Sequence, residues 1–165
     1  RLTTRREKAL RNLGLRIATI AAMFAAVFVG GGLAQAAPAP VPVYQIPATA
    51  FAVSGLVVPS PVFATVTARS LAPATTEFAA PARPEVCSTT AGRALVKISY
   101  LNFNTGATGS VTVKPCEHFI DPTPTSVVAP TGSGRIVLTT QVIGSPFAPA
   151  AGQPSIPGIG TFHAP

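Results

Sequence analysis

The stretch from Ala94 to Lys114, ALVKISYLNFNTGATGSVTVK, decides how this chain folds. Val96, Ile98 and Tyr100 alternate with Lys97 and Ser99. That is the period of two of a half-buried strand, because successive side chains leave a pleated backbone on opposite sides. Asn104-Thr105-Gly106-Ala107-Thr108-Gly109 follows and predicts a turn, since Asn and Gly accept positive φ. Ser110 to Lys114 then alternates Val111 and Val113 with Thr112 and Lys114, as a return strand does. Pairing Asn104 with Gly109 sets Tyr100 opposite Val113, Asn102 opposite Val111 and Ser99 opposite Lys114. This register gathers Val96, Ile98, Tyr100, Val111 and Val113 on one side and places Cys116 near Lys97 on the other.

A lone hairpin is marginal in water, so further strands are required. Arg135 to Ile143, after the turn Thr131-Gly132-Ser133-Gly134, carries apolar side chains on both faces and predicts a central strand. Thr49 to Val58 and Val62 to Ala68 are two β-rich runs parted by Pro59-Ser60-Pro61. Ala37 to Pro47 is Ala, Pro and Val with little else, which suits polyproline-like extension. Leu71 to Pro84, with Pro73, Pro81 and Pro84, has the composition of a linker. Ser145 to Pro165 returns to Pro, Gly and Ala but scatters Phe147, Ile156, Ile159 and Phe162, which suits an extended arm over the sheet. The expected fold is all-β: a small disulfide-stapled sandwich or partly open barrel with Pro/Ala-rich arms. Its segments are 37–84 (Pro/Ala-rich, with short strands), 85–144 (the disulfide-linked β domain) and 145–165 (the tail or arm). The cysteine spacing and the lack of Trp do not fit an immunoglobulin pattern.

Residues 1–36 predict an export signal. Arg1, Arg5, Arg6, Lys8, Arg11 and Arg16 precede an uncharged apolar run from Ile17 to Val29, and Leu33-Ala34-Gln35-Ala36 offers a small-x-small cleavage site. The same run, extended to Ala34, lies at the lower edge of bilayer-spanning length, so membrane attachment is expected only through this segment if it stays uncleaved. Six of the 12 Lys and Arg residues lie there, so the pI of about 10.5 is mostly a targeting feature. From Ala37 onward six cations face four acids, a net charge of +2, with no basic cluster, which argues against a nucleic-acid partner. All 18 prolines and 10 of the 14 glycines fall in this part, which disfavours long helices. The Ala/Pro/Gly-rich style resembles that of exported bacterial proteins, a compositional likeness that carries no motif.

Cys87 and Cys116 are the only cysteines, and in an exported chain the pair predicts a structural disulfide. Closing a loop over a separation of 29 contributes about 3.5 kcal/mol by chain-entropy arithmetic. Cys116-Glu117-His118 and Asp121 are the one crowd of reactive groups. A Cys–His nucleophile would need a free thiolate at Cys116. A metal site would use Glu117, His118 and Asp121, with His163 from the tail, but this spacing matches no ligand pattern. No Gly-x-Ser-x-Gly elbow is present, and Gly132/Gly134 and Gly158/Gly160 lack the setting of a phosphate cradle and suit turns. No cofactor is implied. Glu77 and Glu85 fall in or beside Pro-rich sequence, where a fixed acid–base geometry is hard to hold. Tyr44, Tyr100 and the nine phenylalanines supply packing, and any left exposed would mark a protein or envelope contact.

The expected function is non-catalytic: an exported, secreted or envelope-associated protein that binds or spaces cell-wall components or another protein. Two rivals stand beside it. One is a secreted inhibitor or small-ligand carrier using the apolar sheet face. The other is a small metal-dependent protein centred on Glu117, His118 and Asp121.

Overall fold

The computed structural model describes residues 37–53 and 58–165. The export-signal reading of 1–36 and residues 54–57 of the Thr49–Val58 run lie outside the described residues. In chain order the strands are β1 (Ala39–Val41), β2 (Tyr44–Ile46), β3 (Ala48–Val53), β4 (Pro59–Ala64), β5 (Thr67–Ala72), β6 (Thr75–Ala79), β7 (Leu95–Asn102), β8 (Thr108–Val113), β9 (Ser126–Ala129), β10 (Gly134–Ile143), β11 (Ser155–Ile156) and β12 (Gly158–Ala164). A one-turn helix, α1 (Pro84–Cys87), and a 3-10 turn (Thr90–Arg93) lie between β6 and β7.

The strands form three open antiparallel sheets, ordered β1-β5-β6-β9, β2-β12-β10-β7-β8 and β11-β3-β4. The first two face each other across one core. Val66, Ala68, Phe78, Ala80 and Ala129 come from one side, and Val96, Ile98, Tyr100, Val113, Ile136, Leu138, Phe162 and Ala164 from the other. Phe78 stands at the centre, 5.8 Å from the Tyr100 ring and 5.9 Å from that of Phe162. The sandwich expectation holds, and β10 is central as its two apolar faces predicted. The third sheet turns Ala48 and Ala50 onto a smaller cluster with Ala94, Val142 and Ala151.

Prolines mark where the chain changes sheet. Ala39 to Val53 is nearly continuous strand, yet β1, β2 and β3 belong to three different sheets, with Pro42 and Pro47 at the two junctions. Pro157 likewise separates β11 from β12. A proline has no N–H to contribute to a ladder, so little is lost where partners change. The junction of β4 and β5 has no proline, and there the Gln45 side-chain amide substitutes for a strand. Its Nε2 donates to the Val66 carbonyl and its Oε1 accepts from the Val66 N–H, both at 2.8 Å.

The hairpin register differs from the expected one. β7 and β8 pair Val96 with Val113, Ile98 with Val111 and Tyr100 with Gly109. The loop closes lower, at Asn102 and Ala107 (2.8 Å), because Asn102 organises it. Its Oδ1 accepts from the N–H groups of Asn104 and Thr105, while Nδ2 donates to the carbonyls of Thr131 and Ser133. The offset from the expected pairing is four residues. An even offset leaves every side chain on its predicted face, so Val96, Ile98 and Tyr100 are buried as expected. Ser99 now faces Ser110, not Lys114.

Three segments read as unstructured are strands. The presumed linker contains β6, where Thr76 and Phe78 point inward, as does Ala80 just after it. The presumed polyproline stretch holds β1 and β2 between its prolines. The tail is no arm over the sheet: β12 is inserted within it, between β2 and β10. Its inward residues are Gly158, Gly160, Phe162 and Ala164, three of them too small to register as a hydrophobic pattern. Gly158 and Gly160 therefore serve close packing inside a strand, not a turn; a Cβ on Gly160 would meet Leu138 and Gln45.

Candidate functional site

The predicted disulfide is present, joining Cys87 at the end of α1 to Cys116 in the loop after β8, with a Cα–Cα distance of 5.7 Å. Both thiols are consumed, which removes Cys116 as a nucleophile. Lys97 lies opposite Thr112, so Cys116 does not come beside it as the expected register would have it. Val86 and Ala91 of the bridged segment line a crevice with the buried Val96 and Val142. Gly92 rests directly on the Cys87 backbone, where a side chain would collide. A disulfide points to an oxidising environment.

Among the described residues no three His, Cys, Asp or Glu side chains are grouped as metal ligands. Glu117 and His118 are exposed in the loop after β8, and His163 lies on β12 opposite Arg135, exposed. Asp121 is buried, and it organises its own turn: Oδ1 accepts from the Thr123 N–H at 2.8 Å. Hydrogen bonds from the Thr123 side chain and backbone, with a contribution from Lys114, hold its carboxyl below the ordinary value of 3.8, against the opposing effect of desolvation. Lys114 Nζ donates to the carbonyls of Phe119 and Asp121, at 2.9 and 3.0 Å, tying the loop to the end of β8.

Glu77 is not in a linker but on β6, on the outer face of its sheet. Its Oε1 accepts from Ser126 Oγ at 2.8 Å and its Oε2 lies 3.7 Å from Arg69 Nη1. Together with Lys114 and Glu117 these residues line a hollow of about 270 Å³. Glu85 is exposed on α1.

The apolar face of the hairpin, expected to serve a ligand carrier, is taken up by the core. Sequence reasoning missed the apolar surface that remains open, on the third sheet. With Ala48, Ala50 and Ala52 fully buried, alternation turns Phe51 and Val53 outward on β3, beside Pro59, Pro61 and Phe63 on β4. Phe63 and Ile156 are 63% and 61% exposed. Beside this face runs an open groove of about 1070 Å³. Phe51, Val53, Pro59, Pro149 and Pro154 form its apolar part, and Ser88, Thr89, Thr90 and Arg93 its polar wall. Thr90 Oγ1 accepts from the Val53 N–H at 2.9 Å, fixing the wall to the strand. Arg93 is the one charged residue on the groove, and among the described residues it forms no ion pair. The alternation of Phe51 and Val53 with alanines is the available signal, and alanine is too small to stand out as a core residue in a hydrophobic pattern.

No family model, no curated protein and no solved structure matches this chain.

Proposed function

We propose that this chain is an exported, non-catalytic binding module of the cell envelope or extracellular space. It engages an apolar partner bearing a negative charge, either an envelope component or another protein. The observation that carries this reading is the groove beside β3, where an exposed Phe/Val/Pro face meets a single guanidinium, Arg93. Such a surface gives up apolar area to a partner and places one charge to orient it. The basic and apolar composition of residues 1–36 supports export, as does the disulfide. The non-catalytic reading is supported by how the ionisable groups are used: Lys114, Asp121 and Glu77 hold loops and strands together.

Fractionation of the producing cells, followed by binding of purified protein to envelope fractions, tests this. Wild-type protein is expected in the envelope or medium with its disulfide formed. Phe51→Asp and Arg93→Glu should each weaken envelope retention at least about tenfold while leaving the unfolding midpoint nearly unchanged. Equal retention of both variants and wild type would remove the groove from the account, and a reduced protein confined to the cytosol would remove export.

A further inference from the structure

Among the described residues the three open sheets present six edge strands, and five of them are interrupted or bounded by proline. β1 contains Pro40, and β2 is three residues between Pro42 and Pro47. β4 contains Pro59 and Pro61, β9 ends at Pro130, and β11 is two residues between Pro154 and Pro157. Proline on an edge strand is a common guard against pairing with another chain. The sixth edge, β8, reads TGSVTV: six residues with neither a proline nor a charge.

Which groups this edge presents follows from the ladder. The Asn102 N–H donates to Ala107, so alternation makes Tyr100/Gly109, Ile98/Val111 and Val96/Val113 the bonded pairs. Thr108, Ser110 and Thr112 therefore point their N–H and C=O groups away from β7. Among the described residues the sheet has no further strand on that side. Past the strand's end the edge is closed, where the Lys114 N–H donates to Pro124, and β9 of the facing sheet runs close to β8 without pairing with it.

We infer that β8 pairs with β8 of a second copy of this chain, antiparallel about a two-fold axis at Ser110. Three features select a second copy as the occupant. The symmetry sets Ser110 opposite itself and Thr108 opposite Thr112, so each outward group meets another, with about six backbone hydrogen bonds across the join. The strand is uncharged, so two copies meet without like-charge repulsion. On the core side Val111, only half-buried, comes opposite Gly109 of the other copy. Gly109 carries no side chain, and the Tyr100 hydroxyl that stands over it becomes the group Val111 packs against. Each five-stranded sheet then continues into the other. This pairing is independent of the groove and of the function proposed for it.

The test uses the full chain with its disulfide intact. Mass by light scattering and sedimentation over an about hundredfold range of concentration reports the dimer. Backbone amide exchange locates it. Thr108, Ser110 and Thr112 should gain protection as concentration rises, while Gly109, Val111 and Val113 are protected throughout. Ser110→Pro removes only an outward N–H and should weaken association at least about tenfold. Ser110→Lys sets two cations opposite each other and carries the same expectation should the proline variant fail to fold. A monomer at every concentration overturns the inference. So does a dimer that persists in both variants, or a monomeric chain whose β8 amides are protected only by a foreign peptide.

Discussion

Replacing Phe78 with alanine should be among the most damaging single changes to this protein. The side chain is fully buried between the Tyr100 and Phe162 rings. Truncating a buried phenylalanine costs ~3–5 kcal/mol in transfer and cavity terms. Aromatic pairs add ~0.5–1.5 kcal/mol each beyond area, partly contained in the first figure. A loss of about 4 kcal/mol follows, a large part of the ~5–15 kcal/mol that holds an ordinary domain together. At about 4 °C per kcal/mol for a chain of this size, the unfolding midpoint should fall by roughly 15 °C.

Urea unfolding of the oxidised protein, followed by far-ultraviolet circular dichroism, measures this directly. Phe63→Ala serves as the internal control, because Phe63 is 63% exposed and its truncation should cost under about 1 kcal/mol. If Phe78→Ala cost no more than Phe63→Ala, Thr75–Ala79 could not be the strand that fills the core. The placement of the whole β1-β5-β6-β9 sheet would then fail with it.

Two further predictions concern the loops. Asn102→Ala should cost about 2–3 kcal/mol in urea unfolding, because it deprives the buried Thr131 carbonyl of its donor and releases the loop that sets the hairpin register. Asn102→Asp should be no better near neutral pH, since a carboxylate would face the Thr131 and Ser133 carbonyls, and should recover in part on acidification. Asp121 has a folded pKa below its unfolded one, so its contribution is present above the ordinary value of 3.8 and is lost as pH falls through the folded value. Asp121→Asn should therefore flatten the acid limb of a stability-versus-pH curve, and an unchanged limb would show that Thr123 does not stabilise the carboxylate.

The parts of the fold legible in the sequence were those whose inward residues are large. Val96, Ile98 and Tyr100 announce β7, and Ile136, Leu138 and Val142 announce β10, because a two-residue period in bulky side chains has no other simple reading. The disulfide was legible from a lone pair of cysteines in a chain read as exported. β6 and β12 were hidden for a common reason: each commits one phenylalanine to the core, Phe78 or Phe162, and surrounds it with Ala, Gly or Thr. Proline hid β1 and β2, since it signals a break without saying whether a strand continues on either side. The hairpin register went astray because the turn-forming run offers several closures, and the choice among them rests on Asn102 binding Thr131 and Ser133, contacts about 30 residues away. The groove was invisible for a different reason. Its apolar part and its polar wall come from three separate segments, and only the fold brings Phe51, Arg93 and Pro149 together.

Small inward residues also explain how so many prolines coexist with so much strand. Where Ala48, Ala50 and Ala52 or Gly158 and Gly160 face inward, the backbone can approach its neighbour closely and bury peptide surface in place of large side chains. Such strands gain little from each residue, so a short one is stabilised chiefly by what lies on either side of it. A chain built this way can change sheet every few residues, because each change forfeits few contacts, and a proline at the corner forfeits no N–H that a partner needed. The corner without a proline supports the point: at Val66 the backbone pair that would have gone unmet is bound by the Gln45 amide. Gln45 sits on β2, and Val66 packs into the main core, so that one side chain ties the five-stranded sheet to the point where β4 becomes β5. At the corners of this fold, then, a backbone group either lacks a proton or finds a side chain to bind it.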